Sequence, residues 1–204
     1  MISTKKFSMD NIKLYKTSFF LIILISLTTF PALIFIENID KIHNAFGISK
    51  ENIVSGKYWV TFTYSLFHRS YSHYLFNIIL IIFMSKSIEG NYGSIRMVGL
   101  VLISIISSSI SVILYSNFSS VIGASGIVFG MLGAYSSWVI LYPTYFSREY
   151  KFLMVFILLI NVLIHWIIFI NTFNFSISSH IGGFIGGILF CFVNWLFERK
   201  RIRN

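Results

Sequence analysis

The chain has 204 residues, 56% of them hydrophobic and 11% charged, with a net charge of +9. A water-soluble domain of this length has no interior large enough for so much apolar surface, so the surrounding solvent is mostly lipid. The basic residues gather at the ends, Lys5, Lys6, Lys13 and Lys16 before the first apolar run and Arg199, Lys200, Arg201 and Arg203 after the last, which fits flanks beside anionic headgroups and argues against a nucleic-acid groove.

Six apolar segments approach the roughly 20 residues that a spanning helix requires. They predict an all-α polytopic membrane protein: a basic segment at 1–16, one six-helix membrane domain at 17–197 and a basic tail at 198–204. The first predicted span, 17–36, has no small-residue cleavage site and reads as a retained anchor rather than a signal peptide. A long outer loop, 37–72, follows. It carries Tyr58, Trp59, Phe62, Tyr64, Phe67 and Tyr71, rings expected at the headgroup level of the outer leaflet. Span two, 73–88, opens with His73 and Asn77, which share a face at i and i+4. Span three is 95–115, span four 125–142, span five 151–170 and span six 176–197. The single Cys191 lies in the last of these, so no disulfide framework exists.

Six spans place both termini on one side. That side collects 12 Lys and Arg against 4 (Lys41, Lys50, Lys57 and Arg69) on the other, a positive-inside bias that makes both ends cytoplasmic.

Ser125 opens span four in the run Gly123-Ala124-Ser125-Gly126. A helix that starts there and ends near Tyr142 is about 25 Å long, short of a roughly 30 Å hydrocarbon core, so the hydroxyl lies below the outer surface. The preceding loop must dip inward, which is tolerated only against protein or a wet cavity. His180 enters span six from the same side, roughly 6 Å down. Gly126, Gly130 and Gly133 on one helix, and Gly182, Gly183, Gly186 and Gly187 on the other, allow close backbone approach in lipid. His180, Gly183 and Gly187 share a face, so close packing would bring the imidazole to the hydroxyl as an activated nucleophile requires. His73 and Asn77 can donate hydrogen bonds and, with the Ser125 N–H, could hold an oxyanion. No acid lies within an outer half-span, so the expected unit is a Ser–His dyad. A zinc site from His68, His73 and His180 is conceivable, but no ligand spacing supports it.

These residues resemble the rhomboid intramembrane serine proteases from about Trp59 to Gly187. Family members show Gly-x-Ser-Gly on span four, here Gly123 to Gly126, and His-x-x-Gly-x-x-x-Gly on span six, here His180, Gly183 and Gly187. They also show a His with Asn four later on span two, here His73 and Asn77, another His five before, here His68, and a Glu with Gly four later, here Glu89 and Gly93. The resemblance implies Ser125 as nucleophile and His180 as base and then acid. It implies an oxyanion hole of His73, Asn77 and the Ser125 N–H, with no metal or cofactor. It further implies transmembrane protein substrates cut near the outer face, with span five and the cap loop Phe173–Ser179 admitting substrate and water. Two positions depart from the pattern: Trp59 is followed by Val60 where many members have Arg, and Phe129 stands where some bacterial relatives have Tyr.

The competing class is a catalytically silent, rhomboid-like protein that binds membrane clients; an intact Ser125 and His180 weigh against it. A channel or transporter would carry polar residues along a whole path and often an internal repeat. Six spans without a seventh, and no transit-type leader, point to the cell membrane of a bacterium.

Overall fold

The computed structural model describes residues 15–35, 39–115, 120–141, 148, 151–152, 155–156, 159–160 and 177–203. Among these residues the fold is helical, with one isolated antiparallel bridge between Ile48 and Val121 and no strand. The helices are α1 (Lys16–Phe35), α2 (Ile39–Phe46), α3 (Lys50–Val54), α4 (Val60–Thr63) with a 3-10 turn at Tyr64–Leu66, α5 (Tyr71–Tyr92), α6 (Ser94–Tyr115), α7 (Ser125–Leu141) and α8 (Ile177–Arg203). By length and composition α1, α5, α6 and α8 can each cross a membrane, and α7 is a shorter apolar helix of 17 residues. Most of the predicted span 151–170, most of the cap loop and residues 1–14 of the basic segment lie outside the described residues. Helix α8 runs on to Arg203, through most of the predicted tail.

Local chemistry explains the ends of α5, which extends beyond the predicted 73–88 at both. Ser70 caps its first turn, accepting the His73 N–H at 3.2 Å. Gly93 stops it with a φ of 82°, a conformation in which a Cβ is strained.

Helix α7 is the centre of the bundle. Its apolar residues run all round rather than along one stripe, as expected of a helix buried on every side. Ile127, Val128, Met131, Leu132, Ala134, Tyr135 and Trp138 are all buried. Its most extensive partners are α8 and α6. Helix α1 instead presents Phe20, Leu27 and Ile34 at the surface, where hydrocarbon replaces a protein partner.

At the bundle end opposite Ser125, the buried Glu89 ties three helices together. Its carboxylate accepts from the Thr17 and Ser18 N–H groups at 2.8 and 2.9 Å, and from the Ser18 and Ser94 hydroxyls, both at 2.6 Å. An anion at the start of α1 satisfies N–H groups that a helix leaves unpaired and complements its dipole. Glu89→Ala is therefore expected to destabilise the fold by about 2–4 kcal/mol, because four donors lose a charged acceptor together. Thermal unfolding in detergent checks this, and an unchanged melting temperature would remove the clasp from the stability account.

The segment between α1 and α5 is a folded platform built from α2, α3, α4 and the 3-10 turn. Tyr58, Trp59 and Phe62 are at its surface, but Tyr64 is not. The expectation of Tyr64 as an interface ring is corrected: it is fully buried, and its phenol donates to the Ile105 carbonyl at 3.3 Å. Burial pushes that phenol up to about 12.

Candidate active site

Residues 120–124, which lead into Ser125, are not helical, and several of their polar groups are paired with the platform. Ile48 and Val121 exchange both N–H···O bonds at 2.9 Å. The Ser120 hydroxyl donates to the His43 carbonyl at 2.9 Å, and the Gly123 N–H to the Tyr64 carbonyl at 2.8 Å. The Ala124 N–H donates to His68 Nε2 at 3.2 Å. Irregular backbone can lie among membrane helices only when its donors and acceptors are paired in this way.

The platform is braced in turn. Lys57 Nζ donates to the Asn44 carbonyl at 2.8 Å and to Asn52 Oδ1 at 3.1 Å, and Asn52 Nδ2 donates to the Gly47 carbonyl at 2.9 Å. The Trp59 indole donates to the Ala45 carbonyl at 2.9 Å. Val60, at the departure from Trp-Arg, is buried, and the anchoring cation is Lys57, two residues before Trp59.

Gly123 has a φ of 139°, and a Cβ there would lie 2.7 Å from His73 Cε1. Both the backbone conformation and the His73 ring seated against it demand glycine. Ser125 then opens α7, so its N–H is among those a helix leaves without an intrahelical partner. The Ala124 carbonyl accepts from the Ile127 and Val128 N–H groups at 2.9 and 3.1 Å, which starts the helix.

Close approach of α7 and α8 sets the second half of the site. A Cβ on Gly183 would run into the Gly126 carbonyl, one on Gly187 into the Gly130 carbonyl, and one on Gly133 into Phe184 backbone. The remaining glycines face α6: Gly126 meets Ser108, Gly130 meets Ser104, Gly182 meets Ser111, and Gly186 meets Ser107. Sequence reading missed this row of serines. Ser104, Ser107, Ser108 and Ser111 recur at i, i+3, i+4 and i+7, a small-residue face that was available as a signal. Ser108 also donates to the Ser179 carbonyl at 2.7 Å, fixing the peptide before His180.

With the backbones this close, His180 Nε2 lies 2.8 Å from Ser125 Oγ. The Phe129 ring stacks on the imidazole at 4.4 Å between centroids and 11° between planes. Phe129 thus packs against His180 without needing a phenol. His180 is buried and Ser125 is partly open. Asn77 is buried, and its Nδ2 donates to the His73 carbonyl at 3.0 Å. One of the two amide protons is used there, which leaves the second for another acceptor. Both nitrogens of His68 are within hydrogen-bond distance of other protein partners, Ala124 N–H and Thr29 Oγ1. The three histidines therefore do not converge as zinc ligands.

A Rhomboid domain model matches residues 55–197. The chain is similar to the Rhomboid protease GluP of Bacillus subtilis (strain 168), 36% identical over 151 residues, which are 70% of this chain and 27% of GluP. RHOMBOID-like protein 1 of Arabidopsis thaliana is 31% identical over 137 residues, 66% of this chain and 34% of that protein. YdcA of Bacillus subtilis is 28% identical over 142 residues, 69% of each. The first two relatives are much longer than the stretch matched. The apolar helices and the domain match together make this a multi-pass membrane protein, and the chain belongs to the rhomboid family.

Proposed function

We propose that the chain is an intramembrane serine endopeptidase that cleaves transmembrane proteins near the outer membrane face with a Ser125–His180 dyad. The observation that carries this reading is the 2.8 Å contact of His180 Nε2 with Ser125 Oγ at the first residue of α7. Similarity to GluP, which bears the name of a protease, supports it.

In this reading His180 takes the Ser125 proton as Oγ attacks the scissile carbonyl, then gives it to the leaving amine. The tetrahedral oxyanion forms beside the start of α7, with the Ser125 N–H, the second Asn77 proton and His73 as its donors in this reading. Water, activated by His180, then releases the acyl group from Ser125. A substrate helix must unwind first, because its own hydrogen bonds shield its carbonyls. Six spans with cytoplasmic termini, substrate entry beside span five (151–170) and a place in the cell membrane complete the proposal.

The test is incubation of the detergent-solubilised protein with a labelled single-span substrate and, separately, with a fluorophosphonate. Cleavage together with labelling at Ser125 is expected. Folded protein that does neither, across several substrates, would instead favour a client-binding role. Asn77→Ala is expected to lower kcat about 10²-fold with little change in KM, as loss of an oxyanion donor does. Unchanged turnover would take Asn77 out of the oxyanion hole.

A further inference from the structure

We propose that His68 is a positioning residue for Ser125, held as the neutral Nδ1–H tautomer between the Ala124 N–H and the Thr29 hydroxyl of α1, so that α1 helps set the geometry of the nucleophile without touching it. This rests on the reading of Ser125 as the nucleophile.

The direction of each hydrogen bond is forced. Ala124 N–H can only donate, so His68 Nε2, at 3.2 Å, must be the bare acceptor nitrogen. A neutral ring then carries its proton on Nδ1, which lies 3.1 Å from Thr29 Oγ1. Thr29 accepts there and passes its own proton to the Leu66 carbonyl at 3.0 Å. The chain therefore runs one way, from Ala124 N–H through His68 and Thr29 to Leu66. A protonated ring would set an Nε2–H against the Ala124 N–H. The other neutral tautomer would do the same.

Burial supports the same state. His68 and Thr29 are both fully buried. Desolvation, and then the neighbouring His73, hold the His68 imidazole well below its usual value. His73 and Tyr74 pack their rings edge-on against it, at centroid distances of 5.0 and 5.7 Å. Thr28 strengthens the clamp by donating to the same Leu66 carbonyl at 2.6 Å.

The consequence falls on the two peptides that flank the Ala124 Cα. The Ala124 N–H is held by His68 and the Ala124 carbonyl by the first turn of α7, so the peptide planes on both sides of the Ala124 Cα are fixed and with them the φ and ψ that aim Ser125. Rotation about the Ala124 backbone would swing the Ser125 N–H and Oγ together, away from the oxyanion position and from His180. Displacements on the scale of an ångström at reacting groups cost about 10²-fold in rate.

The experiment uses the full chain in detergent, with histidine ring nitrogens labelled with nitrogen-15 and the His68 signals assigned by their loss in His68→Gln. Wild-type His68 is expected as the Nδ1–H tautomer, retained in Thr29→Ser and lost to a mixture in Thr29→Val. At a temperature where all variants are folded, Thr29→Val is expected to lower kcat about 10–100-fold with KM nearly constant, and Thr29→Ser to restore it. Fluorophosphonate labelling of Ser125 should slow in step. His68→Gln, whose amide oxygen can still accept from Ala124, should retain more activity than His68→Ala.

An Nε2–H or doubly protonated His68 in the wild type overturns the proposal. So does an active wild type whose Thr29→Val variant melts lower but turns over normally, a result that leaves the nucleophile reading standing. A folded wild type that neither cleaves nor labels overturns both.

Discussion

Ser125→Ala and His180→Ala are each expected to reduce cleavage of a single-span substrate by at least about 10⁴-fold, to background. The two losses have different origins. Ser125→Ala removes the attacking oxygen, so no acyl-enzyme forms. His180→Ala leaves the hydroxyl in place but without a base 2.8 Å away, and an unassisted serine hydroxyl is a weak nucleophile near neutral pH. Fluorophosphonate labelling should vanish in both, which separates loss of chemistry from loss of substrate binding. Because the pair acts as one unit, the double variant is expected to be no worse than either single one. Melting temperature should fall more for His180→Ala, since the imidazole is buried and stacked on Phe129. Cleavage that survives both substitutions would sink the dyad assignment.

Gly183→Val is expected to abolish turnover while leaving every functional side chain in the sequence. Even a methyl group at Gly183 would collide with the Gly126 carbonyl, and that carbonyl belongs to a rigid helix that cannot turn aside. The bulkier side chain must push α8 from α7 next to the site, since Gly183 lies one turn beyond His180 and Gly126 directly follows Ser125. Overpacking of this kind costs about 1–3 kcal/mol or more, and parting the helices lengthens the Ser125–His180 contact. Gly93→Ala is the matched control. Its φ of 82° makes a side chain strained, by about 1–2 kcal/mol, but nothing lies within 4 Å of the added Cβ. Gly93→Ala should therefore lower the melting temperature and leave kcat/KM unchanged at permissive temperature. Equal turnover in Gly183→Val and wild type would show that the helix contact does not position the dyad.

The apolar segments were legible in the chain because lipid imposes a long, nearly uncharged run on any helix that crosses it. The juxtaposition of α7 with α8 was foreshadowed as well. Glycines three and four residues apart have little use on a lipid-facing surface, and both glycine rows lie on the helices that carry Ser125 and His180. Glu89 and Gly93 were visible as a pair, but their work was not: one caps α1, more than 70 positions away, and the other ends α5.

Composition, periodicity and small-residue spacing thus marked the stretches that form α1, α5, α6, α7 and α8 and the helix faces that can approach closely, because those properties repeat along the chain. The partners of the turn before Ser125 had no such signature. Its hydrogen bonds reach His43, Ile48, Tyr64 and His68, between 56 and 77 residues away, and none follows a repeating pattern. Tyr64 read as an interface ring for the same reason: an aromatic in a loop looks alike whether it meets a headgroup or a buried carbonyl. Folding brought the platform against that turn, left Lys57 as the anchor beside Val60, and set His68 between Thr29 and Ala124. Those choices follow from long-range contact geometry, which no local pattern of residues encodes.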